Sequence, residues 1–448
     1  MQAMKLSELA AAVRGELRGA DGVVSGVSID SRSISPGDLF VAIRGPRFDG
    51  HRFIAAAGAA GAAAAVAARD AVTTGAGIPV VTVADTGAAL LDLAGHYRRK
   101  FAIPVVGLTG TNGKTTTKEM IAAVLSARYA VLKNQGNLNN QYGIPLSLFQ
   151  LGPQHQAAVL ELGMSALGEI RSLCRAVLPE IGVITNVGEG HTEFLKSIAN
   201  VAQAKAELFE ALPAGGTAVT NADDPWALKA LDKTRARHLT FGIGERADLR
   251  AQDIRFTAEG SSFTVGGLPV RVPMLGGHNV YNALAALAAG DVMGVARDQA
   301  AAALAAMRPT PMRLEAVRLE NFFLIDDAYN ANPASMRAAL ETLADLGLPG
   351  RKVAILGDML ELGEIAEKRH WEIGYLAGRR ADAVLTAGPL AAKIHQTAEG
   401  AGASAAHFAS VPALVAQLPR LLQPRDVVLV KASRGMRFEQ IVNAIKAL

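Results

Sequence analysis

The chain has little cysteine and few aromatic residues. Of its 448 residues, one is a cysteine, Cys174, and 5% are aromatic. A single cysteine excludes an internal disulfide framework and a cysteine-based zinc site, and it fits a reducing cytoplasm. The formal charge of +4 is spread along the chain. Without a dense block of lysine and arginine interleaved with aromatics, a nucleic-acid partner is not expected.

The sequence also lacks a long apolar run. Residues 1–8 do not combine the basic segment and apolar core of a signal peptide. The apolar stretch 54–68 consists mostly of alanine and glycine and is too short to span a membrane. We interpret it as one tightly packed helix. We therefore expect a cytoplasmic protein without a membrane span. We also expect a monomer, although no feature of the sequence determines the oligomeric state.

The most informative segment is an apolar strand that stops at a glycine-rich loop. After residues 105–108, the loop and the start of the next helix read Thr109, Gly110, Thr111, Asn112, Gly113, Lys114, Thr115 and Thr116. The glycines allow a tight turn whose N–H groups converge on phosphate oxygens, and the helix N-terminus adds partial positive charge. Lys114 would then reach the β- and γ-phosphates, and the Thr115 hydroxyl would bind Mg²⁺. The loop alone does not say what becomes of the phosphate.

Strand and helix signals alternate along the whole chain and predict an α/β protein of three domains. We predict a small N-terminal α/β domain over residues 1–85. A central P-loop ATPase-like domain with a mainly parallel sheet follows over 86–308, and a C-terminal Rossmann-like domain over 309–448. The second boundary is placed where Pro309 and Pro311 precede a restarted pattern of apolar strands.

Several predicted strands end in polar residues, including Glu161, Asn186 and Asn221. Parallel sheets bind ligands beyond the carboxyl ends of their strands, so these residues are expected to line one crevice with the phosphate loop. A carboxylate at Glu161 can bind the Mg²⁺ that bridges nucleotide phosphates. A solvated glutamate at a strand end would give the same sequence.

Four further positions have roles that the residues alone leave open. His191 lies in a glycine-containing loop and could bind a second metal, although a lone histidine is more often an ordinary polar residue. Lys205 falls on a predicted helix, where a lysine is solvent-exposed by default. Asn279 and Asn282 share one helix face. Their amides suit an adenine edge, and helix capping is the alternative.

Together with Arg313, these features resemble the Mur ligases, the ATP-dependent amide-forming enzymes of peptidoglycan precursor synthesis, over nearly the whole chain. The resemblance implies a UDP-sugar-binding first domain and an enzyme that forms ADP and phosphate. It implies ATP contacts from residues 109–116, Asn279, Asn282, Arg313 and Asp327. It also implies one Mg²⁺ on Thr115 and Glu161 and a second on His191 and Lys205, a lysine that is a carbamate in several relatives. The implied catalytic residues are Lys114, His191 and Lys205.

Three segments narrow the resemblance within the family: residues 136–146, 326–335 and 356–363. They are similar to the member whose substrates are a UDP-N-acetylmuramoyl-tripeptide and D-alanyl-D-alanine. The expected substrate contacts are Ser31, Arg32, Asn137, Asn140 and the loop 45–51. The sequence departs from the family at Gly190, where alanine is common, and at Lys196, where glycine is expected.

Other functions stay open at this point. Another ligase of the superfamily, such as a folylpolyglutamate synthase, would share the phosphate loop. A P-loop switch protein would hydrolyse nucleotide under the control of a partner and need no amine acceptor. A non-catalytic sugar-nucleotide-binding protein would not need Lys114, Glu161 and His191 together.

Overall fold

The computed structural model describes residues 1–45, 48–71, 77–189 and 195–448, and these fold into three α/β units. The elements of the N-terminal unit are β1 (Met4–Lys5), α1 (Leu6–Ala12), β2 (Glu16–Arg18), β3 (Val23–Val24), β4 (Gly26–Ser28), β5 (Asp38–Val41), β6 (Arg44–Gly45), β7 (Phe48–Asp49), α2 (Ile54–Ala59), β8 (Ala64–Ala68) and β9 (Val80–Val83), with 3₁₀ turns at Ser31–Ser33 and Gly50–Phe53. The main sheet has the order β2-β9-β8-β5-β4. Its strands are parallel except β2.

The predicted single helix over 54–68 is wrong in its second half. The helix α2 ends at Ala59, and β8 is an interior strand of the sheet with all five residues buried. Gly61, between them, has φ 105°, a left-handed conformation that favours glycine. A strand buried on both faces shows no alternation of apolar and polar residues, so the alanine run gave no strand signal.

The central unit contains the phosphate loop. Its elements are α3 (Thr86–Arg98), β10 (Val105–Thr109), α4 (Lys114–Ser126), β11 (Val131–Lys133), α5 (Gly143–Leu148), β12 (Ala157–Glu161), α6 (Glu169–Val177), β13 (Ile181–Ile184), α7 (Ile198–Glu210), β14 (Thr217–Asn221), α8 (Pro225–Lys229), a 3₁₀ turn at Ala230–Lys233, β15 (Arg237–Gly242), β16 (Leu249–Thr257), β17 (Gly260–Val265), β18 (Leu268–Val272), α9 (His278–Val292) and α10 (Arg297–Ala305). The sheet order is β11-β12-β10-β13-β14-β15-β16-β17-β18. In this order, neighbouring strands from β11 through β10 to β16 are parallel, and the pairs β16-β17 and β17-β18 are antiparallel.

The C-terminal unit repeats the parallel design. Its elements are β19 (Glu315–Arg318), β20 (Phe323–Asp326), α11 (Pro333–Asp345), β21 (Lys352–Gly357), a 3₁₀ turn at Gly363–Ile365, α12 (Ala366–Arg380), β22 (Ala383–Ala387), α13 (Ala391–Gly400), β23 (Ser404–Phe408), α14 (Val411–Val415), α15 (Leu418–Leu421), β24 (Val427–Lys431), a 3₁₀ turn at Arg434–Met436 and α16 (Glu439–Lys446). The order is β19-β20-β24-β21-β22-β23, with only β19 antiparallel. The predicted α/β class with a mainly parallel central sheet is thus confirmed.

The hydrophobic core is divided into several clusters of buried side chains. One cluster of buried side chains runs from the N-terminal unit through α3 to one face of the central sheet. A second cluster fills the other face of that sheet. Two more cover the two faces of the C-terminal sheet. In the described ranges, no helix is both long and apolar enough to cross a membrane.

Candidate active site

The phosphate loop has the geometry that its glycines predict. It follows β10, and Gly113, with φ 79°, directly precedes α4. A Cβ atom at Gly113 would lie 2.4 Å from Oδ1 of Asn282, so a larger residue would collide there. Lys114 Nζ donates to the carbonyl oxygens of Gly110 at 2.9 Å and Thr111 at 3.1 Å. The ammonium group is thus folded back over the loop.

The residues predicted to bind one Mg²⁺ are in direct contact. Glu161 ends β12 and is 2% exposed. Its Oε2 accepts a hydrogen bond from Thr115 Oγ1 at 2.9 Å, and its Oε1 accepts one from Asn139 Nδ2 at 2.8 Å. Arg313 reaches across from the C-terminal unit and donates to Thr115 Oγ1 at 3.2 Å. These are the hard oxygen donors that Mg²⁺ prefers.

Asn139 was missed by the sequence reasoning, although it lies in one of the diagnostic segments. Its neighbour Asn140 accepts hydrogen bonds from the backbone N–H groups of Tyr142 at 3.1 Å and Gly143 at 2.9 Å, and its contact with substrate stays a prediction. Asn140 therefore stabilises the turn before α5. Asn137, in the same segment, and Asn139 both line a cavity between the central and C-terminal units.

Lys205 is buried rather than exposed, against the default expectation for a helical lysine. It lies in the middle of α7 and is 2% exposed. Burial, together with the nearby positive charge of Lys114, holds the pKa of Lys205 well below its usual value. Within the described part of the chain, no hydrogen bond or ion pair involves its amine. Burial also lowers the pKa of Lys114, while the Glu161 carboxylate opposes that shift.

His191 lies outside the described residues, as does Gly190. On the two sides of residues 190–194, Gly188 N donates to Thr111 Oγ1 at 2.9 Å, and Lys196 has φ 67°. The left-handed conformation of Lys196 explains why glycine is expected at that position. In the described ranges, histidine, cysteine, aspartate and glutamate side chains form no group of three or more that could hold a metal ion.

Asn279 and Asn282 are almost fully buried at the start of α9. Asn282 Nδ2 donates to Asn279 Oδ1 at 2.8 Å, and Asn282 Oδ1 accepts from Thr117 Oγ1 at 3.1 Å. Asn279 Nδ2 donates to the carbonyl of Leu275 at 2.7 Å. The pair therefore braces the phosphate-loop helix α4, and both residues also line the cavity. Their contact with adenine stays a prediction.

The C-terminal unit contributes charged residues to the region of the phosphate loop. Asp327 Oδ2 accepts from Lys431 Nζ at 2.6 Å, and Oδ1 accepts from Leu314 N at 3.2 Å. The guanidinium of Arg313 lies 4.0 Å from the ring centroid of Tyr329. Met312 and Leu314 have φ 60° and 49°, an uncommon conformation for such residues. This backbone geometry presents Arg313 to the phosphate loop.

A cavity of about 510 Å³ lies between the central and C-terminal units. The predicted residues that line it are residues 111–116, Asn137, Glu161, Asn186, Asn279, Asn282, Arg313 and Asp327. Sequence reasoning did not assign site roles to Asn139, Asp224, Tyr329, Asn332 and Lys431, which also line it. The crevice predicted from strand ends is therefore largely present.

Some predicted residues lie elsewhere. Thr109 and Gly110 are not part of the cavity lining, and Thr109 is fully buried beneath the loop. Asn221 is also absent from the lining; its Oδ1 accepts from Asp223 N at 2.9 Å.

Ser31 and Arg32 lie outside the cavity, in the N-terminal unit. The Arg32 side chain is 87% exposed and pairs with Asp30 at 2.7 Å, which lowers the pKa of Asp30 to about 2.

Comparisons with known proteins agree along the length of the chain. Family models match three stretches: "Mur ligase family, catalytic domain" over residues 23–98, "Mur ligase middle domain" over 108–290, and "Mur ligase, glutamate ligase domain" over 312–434. A relative from Bacillus subtilis (strain 168), named UDP-N-acetylmuramoyl-tripeptide–D-alanyl-D-alanine ligase, is 39% identical over 429 residues. The match covers 94% of this chain and 93% of the relative.

Solved structures give the same result. MurF from Acinetobacter baumannii superposes with a TM-score of 0.91 at 30% identity, covering 100% of this chain and 99% of the other. MurF from Thermotoga maritima in complex with ADP superposes with a TM-score of 0.85 at 30% identity. That match covers 94% of this chain and 97% of the other. Both structures therefore share the architecture of all three units.

Proposed function

Because this chain belongs to the Mur ligase family, we propose that it joins D-alanyl-D-alanine to a UDP-N-acetylmuramoyl-tripeptide at the expense of ATP, in peptidoglycan precursor synthesis. The main support is the full-length similarity to relatives and structures with that name. The cavity between the central and C-terminal units supports it independently, because it combines a phosphate loop with a carboxylate at a strand end.

The reaction needs ATP because a carboxylate is a poor electrophile and its oxygen is a poor leaving group. The terminal carboxylate of the tripeptide attacks the γ-phosphorus, ADP leaves, and an acyl phosphate forms. The free amine of D-alanyl-D-alanine then attacks the acyl carbon. The tetrahedral intermediate expels phosphate and loses the amine proton, which leaves the new amide.

The protein contributes position and charge to these steps. Lys114 would leave the loop carbonyls and face the phosphates, and the N–H groups of residues 113–115 would surround the phosphate oxygens. Arg313 adds a second cation from the C-terminal unit, 3.2 Å from Thr115. Asp327 is held by Lys431 and supports the backbone beside Arg313. Closure of the C-terminal unit over the central unit would exclude water from the acyl phosphate.

The contacts of Thr115 and Glu161 fit a divalent cation. Their oxygens lie 2.9 Å apart and are both hard donors. We assign them to one Mg²⁺, which when bound would neutralise charge on the nucleotide phosphates. We assign a second Mg²⁺ to Lys205 in its carbamate form, together with His191. A buried amine with a lowered pKa is more often neutral, and the neutral amine is the form that reacts with CO₂.

The substrate nucleotide is assigned to the N-terminal unit. The exposed Arg32 guanidinium and the Ser31 hydroxyl are available to a diphosphate, because a solvent-exposed pair such as Arg32 and Asp30 stabilises little. We assign Asn137, which lines the cavity, to the peptide part of the substrate. In the loop 45–51, residues 46 and 47 lie outside the described ranges.

We also propose that the domains meet near residues 85 and 308. These positions fall between β9 and α3 and between α10 and β19.

The proposed function is tested by measuring ADP release with each substrate omitted in turn. We expect continuous ADP release only when the tripeptide nucleotide and D-alanyl-D-alanine are both present, because without the amine each active site stops at the acyl phosphate after at most one ADP. Tripeptides with diaminopimelate or lysine at the third position would identify the natural one. Equal turnover without an acceptor would favour a switch protein, and turnover with folate and glutamate would favour a folylpolyglutamate synthase.

Replacement of Glu161 by glutamine tests the metal assignment. We expect Glu161→Gln to need at least about tenfold more Mg²⁺ for half-maximal ADP release, because a neutral amide is a weaker ligand than a carboxylate. The partly buried Glu169, which accepts from Ser165 N at 2.7 Å, provides the control variant Glu169→Gln. An unchanged Mg²⁺ requirement in Glu161→Gln would show that another residue binds the ion.

A further inference from the structure

One hydrogen bond joins the phosphate loop directly to the C-terminal unit through two side-chain amides. Asn332 Nδ2 donates to Asn112 Oδ1 at 2.7 Å. Asn332 directly precedes α11, and Asn112 is the residue before Gly113 in the loop. Both residues line the cavity of about 510 Å³. The contact therefore lies where the nucleotide phosphates are expected.

The orientation of the Asn332 amide is determined by helix α11. Asn332 Oδ1 accepts from Ser335 N at 2.9 Å, and Asn332 N donates to Ser335 Oγ at 3.0 Å. This reciprocal pair is a capping box, which requires an acceptor at the first position. The oxygen of the amide is committed to the helix, so its nitrogen must face Asn112.

Asn112 is equally constrained, but through its backbone. Its N–H donates to Asn186 Oδ1 at 2.8 Å, and its carbonyl accepts from Thr185 Oγ1 at 2.8 Å and from Asn186 Nδ2 at 3.0 Å. Only the side chain is free to respond to the C-terminal unit. Because Oδ1 receives the bond from Asn332, the Nδ2 of Asn112 is left as a donor. It makes no hydrogen bond with any residue in the described ranges.

We propose that Asn332 is a positioning residue that turns the Asn112 amide nitrogen toward the transferred phosphate when the C-terminal unit is seated. An unconstrained asparagine can present its oxygen or its nitrogen, and the oxygen would repel a phosphate. Docking of Asn332 selects the nitrogen. The phosphate loop is thus complete only in the closed cleft. This inference rests on the proposed ligase function and adds a residue that controls its phosphate site.

Two substitutions separate this role from helix capping, since aspartate and serine both keep a capping oxygen. In Asn332→Asp, the side chain has no donor, so Asn112 must offer its nitrogen to the carboxylate and turn its oxygen to the phosphate. In Asn332→Ser, the side chain is too short to reach Asn112, and the amide is merely released. Ser410→Ala, which removes the N-cap of α14 in the same unit, is the control for loss of a cap.

We expect Asn332→Asp to bind a non-hydrolysable ATP analogue about 10- to 100-fold more weakly than the wild type, as measured by calorimetry with Mg²⁺. Asn332→Ser should lose less affinity, and Ser410→Ala should bind normally. Asn112→Ala/Asn332→Asp should lose no more than Asn112→Ala alone, because both changes act through one amide. Melting temperatures of the two Asn332 variants should agree within a few degrees.

Wild-type affinity in Asn332→Asp, equal losses in the aspartate and serine variants, or additive losses in the double variant would each overturn the proposal. The calorimetric measurement needs neither the tripeptide nor the dipeptide. Failure of the proposed ligase function would appear as absence of turnover in the wild type, whereas the analogue affinities would still decide the role of Asn332.

Discussion

Replacement of Lys114 by alanine is expected to reduce ADP formation by about 10³-fold or more while leaving the fold intact. The amine supplies the charge that faces the transferred phosphoryl group, and loss of such a group costs several orders of magnitude in phosphoryl transfer. Its contacts in the structure are two carbonyl oxygens of its own loop. Its removal should therefore lower the melting temperature by only a few degrees.

The exposed Lys133, paired with Glu119 beside the same helix, provides the control Lys133→Ala, which should turn over normally. Initial rates of ADP release and melting temperatures are measured for Lys114→Ala, Lys133→Ala and the wild type. Normal activity and normal ATP affinity in Lys114→Ala would mean that the loop does not bind the reacting phosphates.

Replacement of Lys205 by alanine is expected to remove most of the activity and to be partly reversible by chemistry. A carbamate forms when the neutral amine adds CO₂ and loses a proton, and it offers Mg²⁺ an anionic oxygen in place of a repelling ammonium. Burial and the charge of Lys114 lower the pKa of Lys205, so neutral amine is available well below the usual pKa of 10.5. At a given pH, a larger share of Lys205 than of an ordinary lysine is consequently in the form that reacts with CO₂.

Two rescue experiments follow. A short carboxylic acid should restore part of the activity of Lys205→Ala, because it can occupy the space of the carbamate. Bicarbonate should restore activity to wild-type enzyme that has been depleted of CO₂. The control variant Gln203→Ala, at an exposed position on the same helix, should be fully active without a carboxylic acid or added bicarbonate. Full activity of Lys205→Ala without additives would require another ligand for the second metal.

The phosphate site was predictable because its signals are local. Glycines before Lys114 specify a tight loop, and Glu161 was identified because parallel strands place their carboxyl ends together. Lys205 also carried a signal that was not used. Val201, Lys205 and Phe209 are four residues apart and all three are buried, so the lysine shares the inward face of α7.

What the sequence did not reveal depends on long-range packing. Asn139 and Asn140 are adjacent, yet one reaches Glu161 and the other stabilises the turn before α5, a difference fixed by the turn and not by residue type. The contact of Asn332 with Asn112 joins residues 220 positions apart. The stretch 54–68 was misread because alanine suits a buried strand and a helix alike.

The central claim is that ATP activates the peptide carboxylate, and oxygen transfer tests it most directly. A UDP-N-acetylmuramoyl-tripeptide labelled with ¹⁸O at both oxygens of its terminal carboxylate is incubated with the enzyme, ATP and D-alanyl-D-alanine, and the released phosphate is analysed by mass spectrometry. The carboxylate oxygen that attacks phosphorus becomes the bridge of the acyl phosphate and leaves with the phosphate. We predict one ¹⁸O atom in each phosphate released. Phosphate that contains oxygen from solvent water and none from the peptide would contradict the claim.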